Sequence, residues 1–437
     1  MPNLASILTD TAARVPDHPA LRISDSVMSY AALEELSARA AGLLAAHGIG
    51  PGDRVAFLLP DIPSVPALYY GILRLGAVAV PMNPLLPARE IAHQLTDSGT
   101  RLFFAFGYED ILAQAGEGAS EAGVELIPVN TGSFRELLAA APPRQEVAER
   151  ADDDAAVILY TSGATGTPKG ATLSHSNLRS TAEAANGLLS VQESDVFFGG
   201  LPLFQGFGQA LVLNPAVLSG ASISLLPRFE PGSALQIIDR DRVSIFAGIP
   251  AMYAALLEHP ALGETDTSTV HWGLSGTGPL PAESREGFET VFGAPVLQTY
   301  GLAETAGLVS LQPADPEQRQ SGEQSGEQTA QQGSAGKPVP GMEVRIVGRR
   351  NVERRSVDRA AGNAAGHGSK DVPEKVPEEV PDGEVGELVT RGEGLMLGYW
   401  NDASATAEAV PGGWFHTGDL ARSDAQGNIS IVGHTAD

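Results

Sequence analysis

The chain has 437 residues, and its 53 acidic side chains outnumber 28 basic ones, which gives a formal net charge of −25. This balance excludes nucleic acid and anionic membranes as expected partners, because both need basic patches that replace counterions. The chain contains no cysteine, so disulfides, thiolate metal sites and a thioester on the chain itself are excluded.

Targeting and membrane signals are also missing from the sequence pattern. The first residues lack the basic region of a signal peptide. The longest apolar stretch, near residues 67–82, contains Arg74 and falls short of a membrane span. We therefore predict a cytoplasmic protein without integral membrane association.

Apolar strand-like runs alternate with amphipathic helical patterns along most of the chain. The first predicted elements are a helix at 30–47, a strand at 55–59, a helix at 65–75 and strands at 77–80 and 155–159. Beyond residue 170 the sequence predicts helices at 177–189, 234–241 and 251–258 and strands at 222–226 and 245–246. This alternation is typical of an α/β sheet covered by helices.

The pattern changes after residue 338. Short strands punctuated by glycine are predicted at 343–347, 386–390 and 429–432, which favours a small β-barrel. Residues 313–334 and 351–382 are low in complexity and have little to bury, so we predict flexible surface loops there. A docking segment for a partner is the alternative interpretation of these two stretches.

Residues 160–170 combine glycines, hydroxyls and one lysine directly after the buried strand at 155–159. Glycines allow successive backbone N–H groups to converge on an anion. Thr161, Ser162, Thr165 and Lys169 add hydroxyl donors and a positive charge around Gly163 and Gly166. The spacing is not the Walker pattern, so a generic kinase or GTPase is disfavoured. A simple Ser/Thr/Gly surface loop is the alternative.

This loop resembles the phosphate loop of the adenylate-forming superfamily, which comprises acyl-CoA synthetases, luciferases and peptide synthetase adenylation domains. Further motifs of that superfamily follow in the same order, at 201–204 (Leu-Pro-Leu-Phe), 248–253 (Gly-Ile-Pro-Ala-Met-Tyr), 275–280 (Ser-Gly-Thr-Gly-Pro-Leu), 298–305 (Gln-Thr-Tyr-Gly-Leu-Ala-Glu-Thr), 386–388 (Gly-Glu-Leu), 398–400 (Gly-Tyr-Trp) and 414–420 (Trp-Phe-His-Thr-Gly-Asp-Leu). The chain is therefore identified as a member, similar to the large amino-terminal domain of a fatty-acid–CoA ligase.

The resemblance implies an AMP-binding domain over 1–437, of class α/β. Two similar α/β subdomains, layered αβαβα, would cover approximately 1–170 and 171–335, and a small β-barrel subdomain would cover 336–433. Residues 434–437 would begin a hinge, after which the family has a mobile lid with a catalytic lysine. On this basis we expect the chain to be the ATP- and acyl-binding portion of an enzyme that is incomplete as given.

The same resemblance assigns the phosphate-binding residues. Thr161, Ser162, Gly163, Thr165, Gly166 and Lys169 would hold the phosphates of ATP. Glu304 would hold Mg²⁺, a cation that prefers carboxylate and phosphate oxygens. Thr161, Lys169 and Glu304 are the predicted catalytic residues. A helix cap is the alternative role for Glu304.

The nucleoside is expected on a different set of residues. Asp419 would accept both ribose hydroxyls, Tyr300 would flank adenine, and Gln298 would meet the adenine amino group. The complete predicted set is Gly276, Thr277, Gly278, Gln298, Thr299, Tyr300, Gly301, Asp419 and His434. A turn position for Asp419 and a core position for Tyr300 are the alternatives.

The predicted acyl pocket is mostly apolar and comprises Phe204, Gln205, Phe207, Gly248, Ile249, Tyr253 and Leu302. Amino-acid-activating relatives place an aspartate within the segment that corresponds to 204–208, and this chain has none there. The resemblance therefore implies a carboxylic acid without an α-amino group, most simply a fatty acid.

Three functions stay open at this point. The favoured one is an AMP-forming acyl-CoA synthetase that uses ATP, Mg²⁺ and CoA. The second is an acyl-AMP ligase that loads the phosphopantetheine of a carrier protein, and the third is a noncatalytic nucleotide or acyl binder. A homodimer is compatible with each of them.

Three positions depart from the family pattern. Ala303 replaces a threonine before the metal glutamate, and Gln205 replaces a common histidine. His434 stands where the family has an arginine that touches ribose. Each change removes a hydroxyl, an imidazole or a permanent positive charge from the expected site.

Overall fold

A computed structural model describes residues 2–130, 132–161, 166–314, 333–348 and 378–435. The helices are Ser6–Arg14 (α1), Tyr30–Ala46 (α2), Ser64–Arg74 (α3), Ala88–Ser98 (α4), Glu109–Ala122 (α5), Ser133–Ala140 (α6), His175–Leu189 (α7), Gly206–Gly208 (α8), Asn214–Ser219 (α9), Pro231–Asp241 (α10), Pro250–Glu258 (α11), Ala282–Phe292 (α12) and Ala403–Ala409 (α13). A π-helical turn, Gln209–Leu213, joins α8 to α9.

The strands are Pro19–Ile23 (β1), Ser26–Ser29 (β2), Arg54–Leu58 (β3), Val78–Pro81 (β4), Thr100–Phe106 (β5), Glu125–Val129 (β6), Ala155–Thr161 (β7), Lys169–Ser174 (β8), Val196–Gly199 (β9), Ser222–Leu225 (β10), Ile245–Gly248 (β11), Trp272–Ser275 (β12), Val296–Tyr300 (β13), Ser310–Leu311 (β14), Ser334–Pro338 (β15), Met342–Val347 (β16), Gly386–Gly392 (β17), Gly398–Tyr399 (β18), Phe415–Ser423 (β19) and Ile429–His434 (β20). Together with the helices they confirm the predicted α/β class.

The first sheet has seven strands in the order β18-β8-β7-β4-β3-β5-β6. Its middle strands are parallel, and β8 and β18 are added antiparallel at one edge. Strands β3 and β4 are almost entirely apolar and buried, as expected when helices cover both faces of a parallel sheet. Helix α7, which directly follows β8, begins with a capping box formed by Ser174 and Asn177.

The second sheet has thirteen strands in the order β16-β17-β19-β20-β15-β14-β13-β12-β11-β9-β10-β1-β2. Strands β1, β10, β9, β11, β12 and β13 are parallel neighbours. From β14 onward the sheet continues with antiparallel strands. This antiparallel part corresponds to the predicted small β unit.

Among the described strands the β unit does not close into a barrel. Strand β14 pairs with both β13 and β15, so the unit is hydrogen-bonded to the second sheet as its extension. At the far end, β16 pairs with β17 alone among the named strands. The predicted barrel is therefore an antiparallel extension of the second sheet.

Most predicted helices and strands are confirmed to within a few residues, for example α2 for 30–47 and β7 for 155–159. The sheets do not follow the predicted boundaries of the two α/β subdomains, because β1 and β2 pair with the second sheet rather than the first. Within the described residues, no helix has both the length and the apolar character that a membrane span requires.

The two predicted loops lie mostly outside the described residues. Their described ends are paired with strands. Ser334 begins β15, and Glu379 forms a bridge with Val347 at the end of β16. Because Val380 also donates its N–H to Ile346 O at 2.9 Å, residues 379–380 belong to the β unit and not to a free loop.

Candidate active site

The main cavity, of about 930 Å³, lies where strands from both sheets end. Pro81 ends β4 and residues 82–83 follow it, Tyr160 and Thr161 end β7, and residues 277–280 follow β12. The end of β13 and the β19–β20 pair complete the wall with residues 298–303, Asp419 and His434. Carboxyl ends of parallel strands are the usual ligand sites of α/β sheets, which makes this cavity the candidate active site.

The predicted phosphate loop joins β7 to β8, which pair antiparallel with Thr161 opposite Lys169. Ser162, Gly163 and Thr165 lie outside the described residues, whereas Gly166 has a φ of +86°, in the region that favours glycine. Helix α4 holds the base of this hairpin. His93 Nε2 lies 3.0 Å from Pro168 O, and the Tyr160 hydroxyl donates to Asp97 at 2.6 Å.

Glu304 lies beside the phosphate loop with only 8% of its surface exposed. Its Oε1 accepts hydrogen bonds from Thr161 Oγ1 at 3.3 Å and from the Tyr399 hydroxyl at 3.0 Å. Lys169 Nζ lies 5.3 Å from the centre of the Tyr399 ring, a cation–π distance. The structure therefore brings the three predicted catalytic residues together around Tyr399.

Tyr399 is the residue of this cluster that the sequence analysis did not assign to the site. Burial raises the pKa of its hydroxyl well above the ordinary value, and the neighbouring Glu304 carboxylate raises it further. The hydroxyl therefore stays protonated at neutral pH and donates to Glu304. Its position comes from β18, which pairs with β8 so that Tyr399 lies opposite Ala171. The Gly-Tyr-Trp motif at 398–400 is the feature of the sequence from which a site role for Tyr399 could have been predicted.

The end of the cavity where the nucleoside is predicted to bind is built around a hydrogen bond from the Tyr300 hydroxyl to Asp419 Oδ2. Burial raises the Asp419 pKa above its usual value, while the Tyr300 hydrogen bond and His434 act in the opposite direction. His434 lies directly opposite Asp419 in the β19–β20 pair. Asp419, Tyr300 and His434 therefore face the same end of the cavity, although they come from distant parts of the sequence.

The turn after β12 is braced by the Gln298 side chain. Gln298 Nε2 donates to Gly278 O at 2.8 Å, and its Oε1 accepts from Leu280 N–H at 3.4 Å. Thr277 has a φ of +66°, an unusual conformation for a residue with a side chain. Thr277, Gly278, Gln298, Thr299 and Gly301 line the cavity. Gly276 does not line it, because its Cα faces the Phe207 ring, where a Cβ would come within 2.6 Å.

Four predicted acyl-pocket residues line the cavity, namely Phe204, Gln205, Phe207 and Leu302. Gly248, Ile249 and Tyr253 are not among the described residues on its wall. Tyr253 is fully buried, packs edge-on against Phe246 and Phe288, and donates its hydroxyl to Phe246 O at 3.3 Å. The structure places Tyr253 in the core beneath the second sheet, so it does not support a direct acyl contact for this residue.

Comparisons with known proteins agree with this geometry. The chain matches the AMP-binding enzyme family over residues 8–363. It is 33% identical over 431 residues to a feruloyl-CoA synthase of Amycolatopsis sp. The aligned region covers 97% of this chain and 77% of the relative. It is also 29% identical over 476 residues to a long-chain-fatty-acid–CoA ligase of Bacillus subtilis, which covers 100% of this chain and 78% of the relative.

Solved structures show the same fold. ATP-bound MatB from Rhodopseudomonas palustris superimposes with a TM-score of 0.84 at 27% identity, over 100% of this chain and 79% of MatB. The N-terminal domain of FACL13 from Mycobacterium tuberculosis gives a TM-score of 0.82 at 27% identity, over 99% of this chain and 100% of that one. The chain belongs to the AMP-binding enzyme family.

As an AMP-binding enzyme, the chain is an adenylate-forming acid–thiol ligase of the acyl-CoA ligase type. Binding of ATP or AMP is supported by the ATP-bound structural neighbours. The two relatives named above carry different acids in their names, an aromatic one and a long-chain fatty acid, so family membership leaves the substrate open. The roles assigned to individual site residues stay predictions.

Proposed function

We propose that this AMP-binding enzyme activates an apolar carboxylic acid of the fatty-acid type and transfers the acyl group to CoA. The observation that carries the proposal is the apolar wall formed by Phe204, Phe207 and Leu302 in the cavity that also contains Thr161. An alkyl chain gains free energy on such a wall, by roughly 0.8 kcal/mol per buried methylene. The enzyme would therefore discriminate only weakly between acids whose alkyl chains differ by one methylene.

The proposed chemistry has two steps. A carboxylate oxygen attacks the α-phosphorus of ATP, which forms the acyl-adenylate and breaks the bond to pyrophosphate. The thiol sulfur of CoA then attacks the acyl carbon, its proton is lost, and AMP leaves. Because the first step brings two anions together, fixed donors and cations must offset their charge. The Thr161 hydroxyl and the Lys169 ammonium are available for this role at the phosphate loop.

Glu304 is the proposed Mg²⁺ ligand. Mg²⁺ commonly binds one or two carboxylates together with substrate phosphates and keeps several waters. A single carboxylate, mostly buried and directed by hydroxyl groups of Thr161 and Tyr399, fits that pattern. When bound, the cation would neutralise phosphate charge. No cluster of three or more His, Cys, Asp or Glu that could hold a metal occurs within the described residues, so the phosphates of ATP would supply further ligands.

The test is pyrophosphate release with ATP and Mg²⁺ by the chain expressed together with whatever sequence follows residue 437 in its gene. It is run across a panel of acids, namely alkyl acids of increasing length, ferulate and amino acids. Acyl-adenylate and acyl-CoA are then quantified by mass spectrometry with and without CoA. We expect release with alkyl acids, little with amino acids, and thioester only when CoA is present.

Glu304→Gln should abolish most of this activity, and Glu258→Gln, which removes a carboxylate from an exposed position on α11, is the matched control. Acyl-adenylate that accumulates without conversion to acyl-CoA would instead indicate an acyl-AMP ligase. Nucleotide binding without release from any acid would indicate a noncatalytic binder and would refute the proposal.

A further inference from the structure

Asp61 is a buried carboxyl behind the predicted acyl wall, and the proposed chemistry does not use it. The residue lies between the end of β3 and the start of α3 and is 5% exposed. Its Oδ1 accepts the N–H of Leu203 at 2.9 Å, across 142 positions of sequence. A carboxyl is costly to bury, so a buried one with a specific partner usually has a role.

The backbone of Leu203 is held on both sides by buried side chains. Its N–H is bonded to Asp61, and its C=O accepts from Gln209 Nε2 at 3.3 Å. The two groups belong to the two peptide units that flank the Leu203 Cα, and only φ and ψ can rotate between those units. Holding both units therefore fixes the direction in which the chain enters residue 204.

Gln209 is itself held by a buried polar network. Its Oε1 accepts from the Tyr69 hydroxyl at 3.5 Å, and that hydroxyl accepts from Asn214 Nδ2 at 3.5 Å. The Tyr70 hydroxyl donates to Asn214 Oδ1 at 2.9 Å. All four side chains are buried, and Gln209 opens the π-helical turn, a rare structure that often marks functional sites.

The loop that Asp61 holds, residues 201–205, carries part of the acyl wall. Phe204 lines the cavity, and so does Phe207 on α8, which follows the loop directly. Helix α8 packs closely on this loop, because a Cβ on Gly208 would come within 2.3 Å of Pro202 O. A displacement of the loop would therefore move both aromatic rings.

We infer that Asp61 is a positioning residue for the acid substrate: it holds the loop 201–205 so that Phe204 and Phe207 form the acyl wall. This inference rests on the proposed function. The residues predicted to bind ATP belong to other elements, namely the β7–β8 hairpin, the end of β13 and the β19–β20 pair. Loss of the Asp61 acceptor should therefore change the affinity for the acid and not the affinity for ATP.

The test measures KM for an alkyl acid, KM for ATP and kcat by pyrophosphate release, with the same preparation that tests the proposed function. Asp61→Leu has a similar size but leaves the Leu203 N–H buried without its acceptor. We expect KM for the acid to rise by a factor of about 3–10, as for loss of one hydrogen bond. KM for ATP should stay unchanged and kcat should change less than the acid KM, because the wall contacts the acid before and during the reaction.

Asp61→Asn is the conservative variant, because its side-chain oxygen can still accept the Leu203 N–H. Burial raises the pKa of Asp61 to about 8, so the native carboxyl is mostly protonated at pH 7 and a neutral amide is a close substitute. This variant should keep the wild-type KM for the acid. A rise equal to that of Asp61→Leu would contradict the role of the acceptor.

Asp195→Leu is the matched control. Asp195 is also buried and also accepts a backbone N–H, from Gln192 at 2.7 Å, but it lies at the opposite end of β9 from the loop 201–205. Asp195→Leu should lower thermal stability and leave KM for the acid as it was. Equal rises in the acid KM for Asp61→Leu and Asp195→Leu would indicate a general loss of stability and would refute the positioning role.

Gln209→Met tests the same loop from its carbonyl side and serves if Asp61→Leu does not fold. It removes the donor to Leu203 O at similar side-chain length, so it should also raise KM for the acid and not KM for ATP. An unchanged acid KM in folded Asp61→Leu or, failing that, in Gln209→Met would refute the inference and leave the proposed function intact. A wild-type protein that releases no pyrophosphate with any acid would refute both.

Discussion

The two ends of the main cavity differ in how their polar groups are paired. At the predicted nucleoside end, Tyr300 donates to Asp419 and Gln298 is bonded to the turn after β12, so a nucleotide bound there would exchange existing hydrogen bonds for new ones. Beside helix α4, Gln94 Oε1 lies in the wall of the same cavity and is buried without a hydrogen-bond partner, so a ligand donor would add a hydrogen bond without breaking one. Paired polar groups favour a ligand that can replace their hydrogen bonds, which makes binding selective. An unpaired acceptor lets a ligand gain the free energy of a new hydrogen bond.

The largest expected effect on AMP affinity comes from removing the Asp419 carboxylate at the predicted nucleoside end of the cavity. Asp419→Ala should weaken AMP binding by about 1.5–3 kcal/mol, the range for hydrogen bonds to a charged group. Isothermal titration calorimetry measures the change, with Glu384→Ala, an exposed position in the same β unit, as the control. Unchanged affinity would contradict the ribose role of Asp419.

Asp61 tests whether a paired carboxyl always stabilises the fold. Its carboxyl accepts from Leu203 N–H at 2.9 Å beneath the acyl wall, and burial raises its pKa to about 8. The unfolded value is about 3.9, so the native state retains a proton that the unfolded state has lost between about pH 4 and pH 8. This group therefore lowers stability as pH rises through that window, and its contribution levels off above about 8.

Asp61→Asn keeps the acceptor and cannot ionise. Its free energy of unfolding at pH 8 should exceed that of the wild type by about 1–3 kcal/mol, and this difference should shrink toward pH 5. Urea denaturation at pH 5, 6.5 and 8 measures it. A difference that does not change with pH would show that Asp61 ionises in the native protein much as it does in the unfolded chain.

Tyr300→Phe breaks the pairing at the nucleoside end while the ring is retained. Asp419 then loses the hydroxyl that competes with ribose, so AMP should bind more tightly, by about 0.5–1 kcal/mol. The free energy of unfolding should fall by a similar amount, because the internal hydrogen bond is lost. Calorimetry and urea denaturation of the same preparation measure both. Weaker AMP binding would mean that the Tyr300 hydroxyl contacts the nucleotide itself.

The smallest expected effect is at His434, opposite Asp419. His434→Arg introduces a permanent cation, which should tighten AMP binding at pH 8 by about 0.3–1 kcal/mol, in a salt-dependent manner. His47→Arg, at an exposed position after α2, adds the same charge elsewhere and should leave AMP affinity unchanged. Equal effects of the two substitutions would indicate a general charge effect rather than a contact at the ribose site.

Local patterns in the sequence determined much of the architecture. The alternation of apolar runs and amphipathic helices predicts α2, α3, β3 and β4 because helix and strand periods follow from neighbouring residues alone. The glycine- and hydroxyl-rich loop predicts a phosphate site for the same reason, because its composition is also a local pattern. The order of the motifs predicted Glu304, Tyr300 and Asp419 as site residues. Tyr300 and Asp419 line the cavity, and Glu304 hydrogen-bonds to Thr161, which also lines it.

Tertiary structure alone decided which strands share a sheet and which side chains face the cavity. Strand β1 pairs with β10 of the second sheet, with Leu21 opposite Ile223, 202 residues later in the chain. Tyr253 is buried in the core although its motif suggested the acyl pocket. Tyr399 reaches Glu304 only because β18 pairs with β8, and Gln94 lies unpaired only because α4 packs under the phosphate loop. Contacts between distant segments depend on the packing of whole elements, and no local pattern encodes that packing.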